Sequence, residues 1–335
     1  MYFRWVFFKL DLFFRLSYYF LIKTMAETQP AATKSAEQQK KKPGRPRKRL
    51  VVSPIDIKGI VTEPSNPEHV LELVYCNPGI FKKLLHLFKQ FEVGEIDIYC
   101  DHKGIKMVAK DHFDKSTIYT FVNGDCMNLY YCKEPVHLCI TRSNLESVFG
   151  NLNKNHYKIS IILRENYRSA IYVIVKDLEY NNDDTYEVSV TFKSTDETVD
   201  EDNDEDYPIR FKMSSRHFKS RISSIRKLGK PFTIQKSGTS PLQIILDSAQ
   251  NVQFTSIYHD SEKIALDSKI GEDDVFSASV YVDNIKPLAS ASISDDIIVA
   301  ADKFKKMSFT MYMDKKENGY AAVAKVFVKL VQDPL

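Results

Sequence analysis

The side chains in this 335-residue sequence best arranged for chemistry are cations at helical spacing. Lys82, Lys83 and Lys89, with His86 and Gln90, fall on one face of a stretch whose other face is Phe81, Leu84, Leu85, Phe88 and Phe91. Further on, Arg216, Lys219, Arg226 and, just beyond the same helical pattern, Lys230 share one face opposite Phe218, Ile222, Ile225 and Leu228. Neither basic face contains an acid. Taken singly, each lysine is as well explained by solvation of a helix surface. Two acid-free stripes together favour a polyanion. Duplex DNA carries one negative charge per roughly 1.7 Å of axis and attracts such stripes without regard to base sequence.

A second basic feature lies near the N-terminus. Lys40, Lys41 and Lys42 lead into Pro43, Gly44, Arg45, Pro46, Arg47, Lys48 and Arg49, seven cations with no acid. The Pro-Gly-Arg-Pro core resembles an AT-hook. The prolines hold the strand extended, Gly44 lets backbone approach a groove floor, and Arg45 and Arg47 suit the negative potential of a narrow A·T minor groove. A nuclear-localisation or merely polybasic arm is the plainer alternative. After Arg49 the chain has a net charge of −6, so basic tail and mildly acidic body are segregated.

Signs of catalysis are weak. Residues 196–206 hold eight acids and no base, but lack the glycine and spacing of a calcium loop. Carboxylates that hold catalytic magnesium belong on rigid elements rather than in such a run. No phosphate-binding glycine loop or nucleophile motif is present. The five cysteines, Cys76, Cys100, Cys126, Cys132 and Cys139, form no C-x-x-C pair, and Cys132, His137 and Cys139 sit in strand-like sequence. They are expected to be reduced thiols rather than zinc ligands. A non-enzymatic protein without metal or cofactor is expected.

The extreme N-terminus is aromatic, with ten such residues in the first 24, but Arg4, Lys9, Asp11, Arg15 and Lys23 interrupt it. A spanning helix needs about 20 predominantly apolar residues, so no membrane partner is expected. Residues 1–24 read as a misassigned start ahead of Met25, with an interfacial anchor as the alternative.

The elements that carry the cations recur. Amphipathic helices are predicted at 78–91, 142–152, 215–228 and 282–291, with Asn77 as N-cap of the first. Corresponding starts, Pro78 and Ser215 or Arg142 and Val282, are 137 and 140 residues apart. Leu145, Val148, Phe149 and Leu152 face inward on the second helix, and Ile285, Leu288 and Ala289 on the fourth. Strand-like runs, 69–76 first among them, fill the spaces between. The expected fold class is α+β, a duplicated unit of antiparallel sheets with two helices each. It follows a disordered tail, residues 1–67. The halves are 68–193 and 207–330, joined by an acidic connector at 194–206, with 331–335 as a short C-terminal tail.

This order of elements, with Ile80-Phe81-Lys82-Lys83-Leu84 in the first helix, resembles the sliding clamps of the PCNA type over residues 68–330. Pro43-Gly44-Arg45-Pro46, Val51-Val52, Lys58-Gly59-Ile60 and Asn77-Pro78 make it similar to the PCNA-like clamps of African swine fever virus and related large DNA viruses. The resemblance implies a DNA-clamp fold and a homotrimeric ring around double-stranded DNA, with Lys82, Lys83, Lys89, Arg216, Lys219, Arg226 and Lys230 facing the duplex. It implies a processivity factor for DNA polymerase that also recruits ligase or nuclease clients in replication and repair, and a clamp loader. It further implies an intracellular location where viral DNA is replicated, in a cytoplasmic factory or the nucleus. Subunits of such rings join the last strand of the first half, 184–192, to an edge strand of the second, expected at 262–269. Clients of the family dock a hydrophobic peptide under the connector, for which Phe113, Ile209, Phe327 and Leu330 are the candidates. The competing reading is an architectural or transcription-associated DNA binder that uses the hook and forms no ring.

Overall fold

The computed structural model describes residues 63–150, 152, 157–194, 206–225, 231–247, 253–261, 264–304, 306–316 and 319–331, with Ser224, Ile225, Leu246, Asp247 and Gln253 described by backbone alone. The AT-hook-like segment, almost all of the acidic run, Arg226, Lys230 and the last four residues lie outside them, as do the inward positions expected for Ile225 and Leu228.

The first half alternates buried and exposed residues with a period of two, as half-buried strands require. Its strands are β1 (His69–Tyr75), β2 (Glu95–Asp101), β3 (Gly104–Lys110), β4 (Ser116–Asn123), β5 (Leu129–Cys132), β6 (Val136–Thr141), β7 (Tyr157–Arg164), β8 (Tyr167–Asp177), β9 (Asn182–Ser189) and the two-residue β10 (Thr191–Phe192). The second half contributes β11 (Ile209–Ser214), β12 (Pro231–Ser237), β13 (Leu242–Asp247), β14 (Gln253–Tyr258), β15 (Ala265–Ser268), β16 (Val275–Tyr281), β17 (Asp296–Ala301), β18 (Lys306–Lys316) and β19 (Gly319–Lys329). The stretch expected as one strand at 184–192 is two. It breaks at Val190, and β10 leaves the sheet of β9 to pair with β6.

Three antiparallel sheets result, ordered β5-β1-β7-β8-β9, β10-β6-β2-β3-β4-β19-β18-β17-β11-β15 and β14-β13-β12-β16. The ten-stranded sheet joins the halves through β4 and β19, which pair from Ala322 opposite Val122 to Val328 opposite Ser116.

Four helices complete the described fold: α1 (Gly79–Gln90), α2 (Arg142–Phe149), α3 (Ser215–Ile225) and α4 (Val282–Ala291). On α1, Phe81, Leu84, Leu85 and Phe88 are buried as their spacing demands, joined by Leu87, and Phe91 follows. Each such side chain contributes about 1.5–3 kcal/mol through burial. Asn77 does not cap α1. Pro78 holds the N-cap position without a side-chain hydrogen bond, and the Asn77 amide instead donates to Asp314 Oδ2 at 2.8 Å. Thr141 caps α2, its hydroxyl accepting from Asn144 N–H at 3.4 Å, and α2 ends at Phe149, three residues short of expectation. On α4, Ile285, Leu288 and Ala289 are buried, sufficient to hold the helix through an internal Pro287.

Strand registers repeat between halves. β1 sets Leu73 opposite Ile161 of β7, and β11 sets Phe211 opposite Val299 of β17, each partner 138 residues on. With the strand order aligned and offsets of 136 and 137 residues, Thr120 of β4, opposite Met107, matches Ser256 of β14, opposite Ile244. Tyr186 of β9, opposite Val173, matches Val326 of β19, opposite Phe309.

Candidate nucleic-acid interface

The helices lie side by side, α2 against α1, α1 against α4 and α4 against α3. Their apolar stripes seal onto the sheets, so the polar faces form one layer. Lys83, His86, Lys89, Arg216 and Lys219 are exposed there and Lys82 is half-buried. Arg216 and Lys219 have no acidic partner among the described residues. Their neighbours along the helix, Ser215, Ser220 and Ser223, add no charge.

Tertiary contacts supply acids that the helix patterns did not show. Lys83 Nζ donates to Asp314 Oδ1 at 3.3 Å, and Asp314 belongs to β18 of the other half. Lys89 lies 3.5 Å from Glu146 on α2, which also holds Arg142 at 2.7 Å. Lys83 and Lys89 are therefore tethered, while Arg216 and Lys219 stand as unopposed charge. Two cations of the layer went unnoticed in the sequence. Arg221 and Lys286 are half-buried, and neither repeats along its helix at the spacing that drew attention to the others.

The four candidates for a client pocket fall on different surfaces. Ile209 is fully buried in the core and faces inward. Phe113 is 68% exposed at the tip of the β3–β4 turn, beside a cleft with Asp283 and Pro287 of α4. Phe327 is on the outer face of β19, 2% exposed, edge-on to Tyr119 with centroids 5.5 Å apart. The ammonium groups of Lys306 and Lys325 lie 5.7 and 5.8 Å from its ring centroid. Leu330 is half-buried at the end of the same strand. An exposed phenylalanine that the sequence did not single out, Phe304, stands in the β17–β18 turn.

His137 anchors the start of the connector. Its ring stacks on Tyr99 at 3.9 Å, Nδ1 lies 2.9 Å from the Ser194 carbonyl, and Nε2 is 3.4 Å from Asp97. Lys193 Nζ donates to the same Asp97 at 2.6 Å.

On the outer half of α3 the chemistry changes. His217 Nε2 lies 3.1 Å from the Tyr258 hydroxyl oxygen, and Arg221 Nε is 3.5 Å from the same nitrogen. Burial, and then the Arg221 charge, hold the His217 pKa below its ordinary value, so this imidazole is neutral near pH 7. The Arg221 guanidinium lies 5.8 Å from the Phe254 ring centroid on β14.

Comparison with known proteins places this architecture. Residues 70–202 match the family model of the proliferating cell nuclear antigen N-terminal domain. Uncharacterized proteins of African swine fever virus, from the isolates Tick/Malawi/Lil 20-1/1983 and Pig/Kenya/KEN-50/1950, are each 29% identical over 287 residues, covering 83% of this chain and 95% of theirs. The crystal structure of proliferating cell nuclear antigen from Entamoeba histolytica superposes with a TM-score of 0.64 at 15% identity, covering 79% of this chain and all of that one. Residues 70–202 thus match the model of the PCNA N-terminal domain, and the chain as a whole has the PCNA-like fold.

Proposed function

We propose that the protein is a DNA sliding clamp, a non-enzymatic scaffold in which three copies close into a ring around duplex DNA. The observation that carries this is the internal repeat and the two edges it leaves open. Within the chain β4 pairs with β19. The equivalents of those strands are β14 and β9, and both are sheet edges. An open edge invites another strand, and pairing β9 of one copy with β14 of the next repeats between copies the junction already made within one. The strand expected for this role, at 262–269, is β15, which pairs with β11 as β5 pairs with β1. It corresponds to β5 and is set aside.

Residue chemistry fits that pairing. The repeat sets Tyr186 opposite Phe254 where the internal junction has Val326 opposite Ile118. Val326 and Ile118 are fully buried, whereas Phe254 is 38% exposed and Tyr186 half-buried. On the outward side of β14, Ile257 is 56% exposed. Closure would bring α3 against α2 of the next copy, as α1 meets α4 within the chain. The helix layer then becomes a continuous inner wall. Arg216, Lys219, Lys82 and the tethered Lys83 and Lys89 face the duplex, with Arg226 and Lys230 further along the same chain. Phosphate attraction of this kind carries no base preference, so it permits sliding.

Clients such as a polymerase, ligase or nuclease are proposed to dock on the outer face beside Phe327, near Leu330 and Phe113, while Ile209 faces the core and is set aside. Lys40–Arg49 are proposed to add an AT-hook contact to DNA. Replication sites in an infected cell are the proposed location, by analogy with the viral relatives.

Topology supplies the test. With Thr185→Cys and Thr255→Cys in one chain, positions that the repeat places opposite each other, a short bismaleimide should close the ring covalently. Formed on a nicked circular plasmid, the cross-linked protein should stay with the circle through denaturation and leave when the DNA is linearised. Release from the circle on denaturation would refute encirclement.

A further inference from the structure

The edges of the seam differ in charge from the internal junction at one position. There, Ala324 of β19 stands opposite Thr120 of β4. The repeat replaces that pair with Asp184 of β9 and Ser256 of β14. Asp184 shares the inward face of its sheet with Val175, its cross-strand neighbour, which is buried. Tyr157 and Asp177 lie near it, so this end of the β8–β9 hairpin is acidic. The cation Lys176 pairs with Asp183 instead. Asp184 has no cationic partner among the described residues.

The opposite edge has the complementary charge. Ser256 lies between Phe254 and Tyr258 on the inward face of β14. α3 covers that face with Arg221 over Phe254 and His217 against Tyr258. Arg221 has no acid near it among the described residues. Directly opposed residues of antiparallel strands have Cβ atoms about 4.5–5.5 Å apart. A carboxylate opposite Ser256 is within reach of a guanidinium that overhangs the same strand.

We infer that Asp184 of one copy pairs with Arg221 of the next, making each seam between copies a charged latch where the equivalent pair of the junction within the chain, Ala324 opposite Thr120, is uncharged. This rests on the ring reading above. The consequence is a division of labour between two otherwise equivalent joints. The β4–β19 joint is made within one chain around buried side chains such as Val326 and Ile118, with its Lys329–Asp114 ion pair exposed at one end. The seam holds by a charge pair beside the Tyr186–Phe254 contact, so added salt loosens it. A closed ring must open to admit DNA without ends, and the latch assigns that opening to the seams.

Charge exchange tests it. In sedimentation equilibrium at low ionic strength, Asp184→Arg and Arg221→Asp should each raise the trimer dissociation constant at least tenfold. The double exchange, Asp184→Arg with Arg221→Asp, should return it to within about threefold of the parent. As a milder control, Asp184→Asn with Arg221→Gln should flatten the dependence of that constant on salt between about 0.05 and 0.5 M. Circular dichroism of each variant excludes unfolding as the cause. Single reversals without effect, or a double exchange no better than the singles, would overturn the latch while leaving a trimeric parent and the ring intact. A parent that is monomeric throughout would reject the ring, and the latch with it.

Discussion

Asp314 accepts from Lys83 at 3.3 Å through one oxygen and from the Asn77 amide at 2.8 Å through the other, across 231 and 237 residues of sequence. A carboxylate of the second half thus fixes both the start of α1 and one cation on its polar face. The backbone of Asp314 is left-handed, with φ of 50°, where β18 skips a residue in its pairing with β19. Asp and Asn tolerate that conformation better than most residues.

Asp314→Asn should therefore keep the backbone while freeing Lys83. The half-exposed ion pair is worth at most about 1 kcal/mol, so thermal stability should fall only slightly. One more unopposed cation should strengthen binding to short duplex DNA and steepen the log–log salt slope by about 0.9. Fluorescence anisotropy across a salt series measures both. Weaker binding would show that Lys83 needs its tether to face DNA.

Arg216→Glu with Lys219→Glu removes two exposed charges that have no acidic partner among the described residues. The fold and the mass in solution should be unchanged, while retention on circular DNA and stimulation of a polymerase on primed template should be lost. Retained activity in the double variant, with its mass verified, would take α3 out of the DNA-facing wall.

Glu72 supplies a pH dependence. Its carboxylate is buried and accepts from Ser65 N–H at 2.8 Å, with His69 Nδ1 at 2.7 Å. Burial raises its pKa, but the hydrogen bonds from His69 and Ser65 outweigh that and leave it below the ordinary 4.5. A group depressed in the folded state stabilises above its unfolded pKa, and that stability is lost as pH falls from about 4.5 through the lowered value. Glu72→Gln should remove this part of the acid limb of the unfolding curve. Because the buried hydrogen bonds from Ser65 and His69 are weakened, it should also cost about 1–3 kcal/mol at pH 7. Urea midpoints measured from pH 3 to 7 would show both effects, and parallel curves for the two proteins would contradict the assignment.

Arg45→Ala, in the basic segment, should weaken binding to A·T-rich duplex more than to G·C-rich duplex. Lys41→Ala should weaken both alike and lower the salt slope by about 0.9. Equal losses for the two arginine comparisons would reduce the segment to a polybasic arm.

Sequence alone determined the elements and their doubling, because period-two and 3.6-residue burial patterns are local and survive divergence between the halves. The inward sets Phe81, Leu84, Leu85 and Phe88 or Ile285, Leu288 and Ala289 were legible for that reason, as was the resemblance built on their order. What sequence could not give was which strand ends are free. The break at Val190, the pairing of β4 with β19 and the openness of β9 and β14 depend on contacts between strands distant in sequence, and a strand's own residues do not name its partner. The same holds for charge. A helix face without acids looked unopposed until the fold brought Asp314 to Lys83 and Glu146 to Lys89. Ile209 read as a docking residue because hydrophobicity shows in sequence, whereas the side of the sheet it faces is set by register, and register is a property of the tertiary structure.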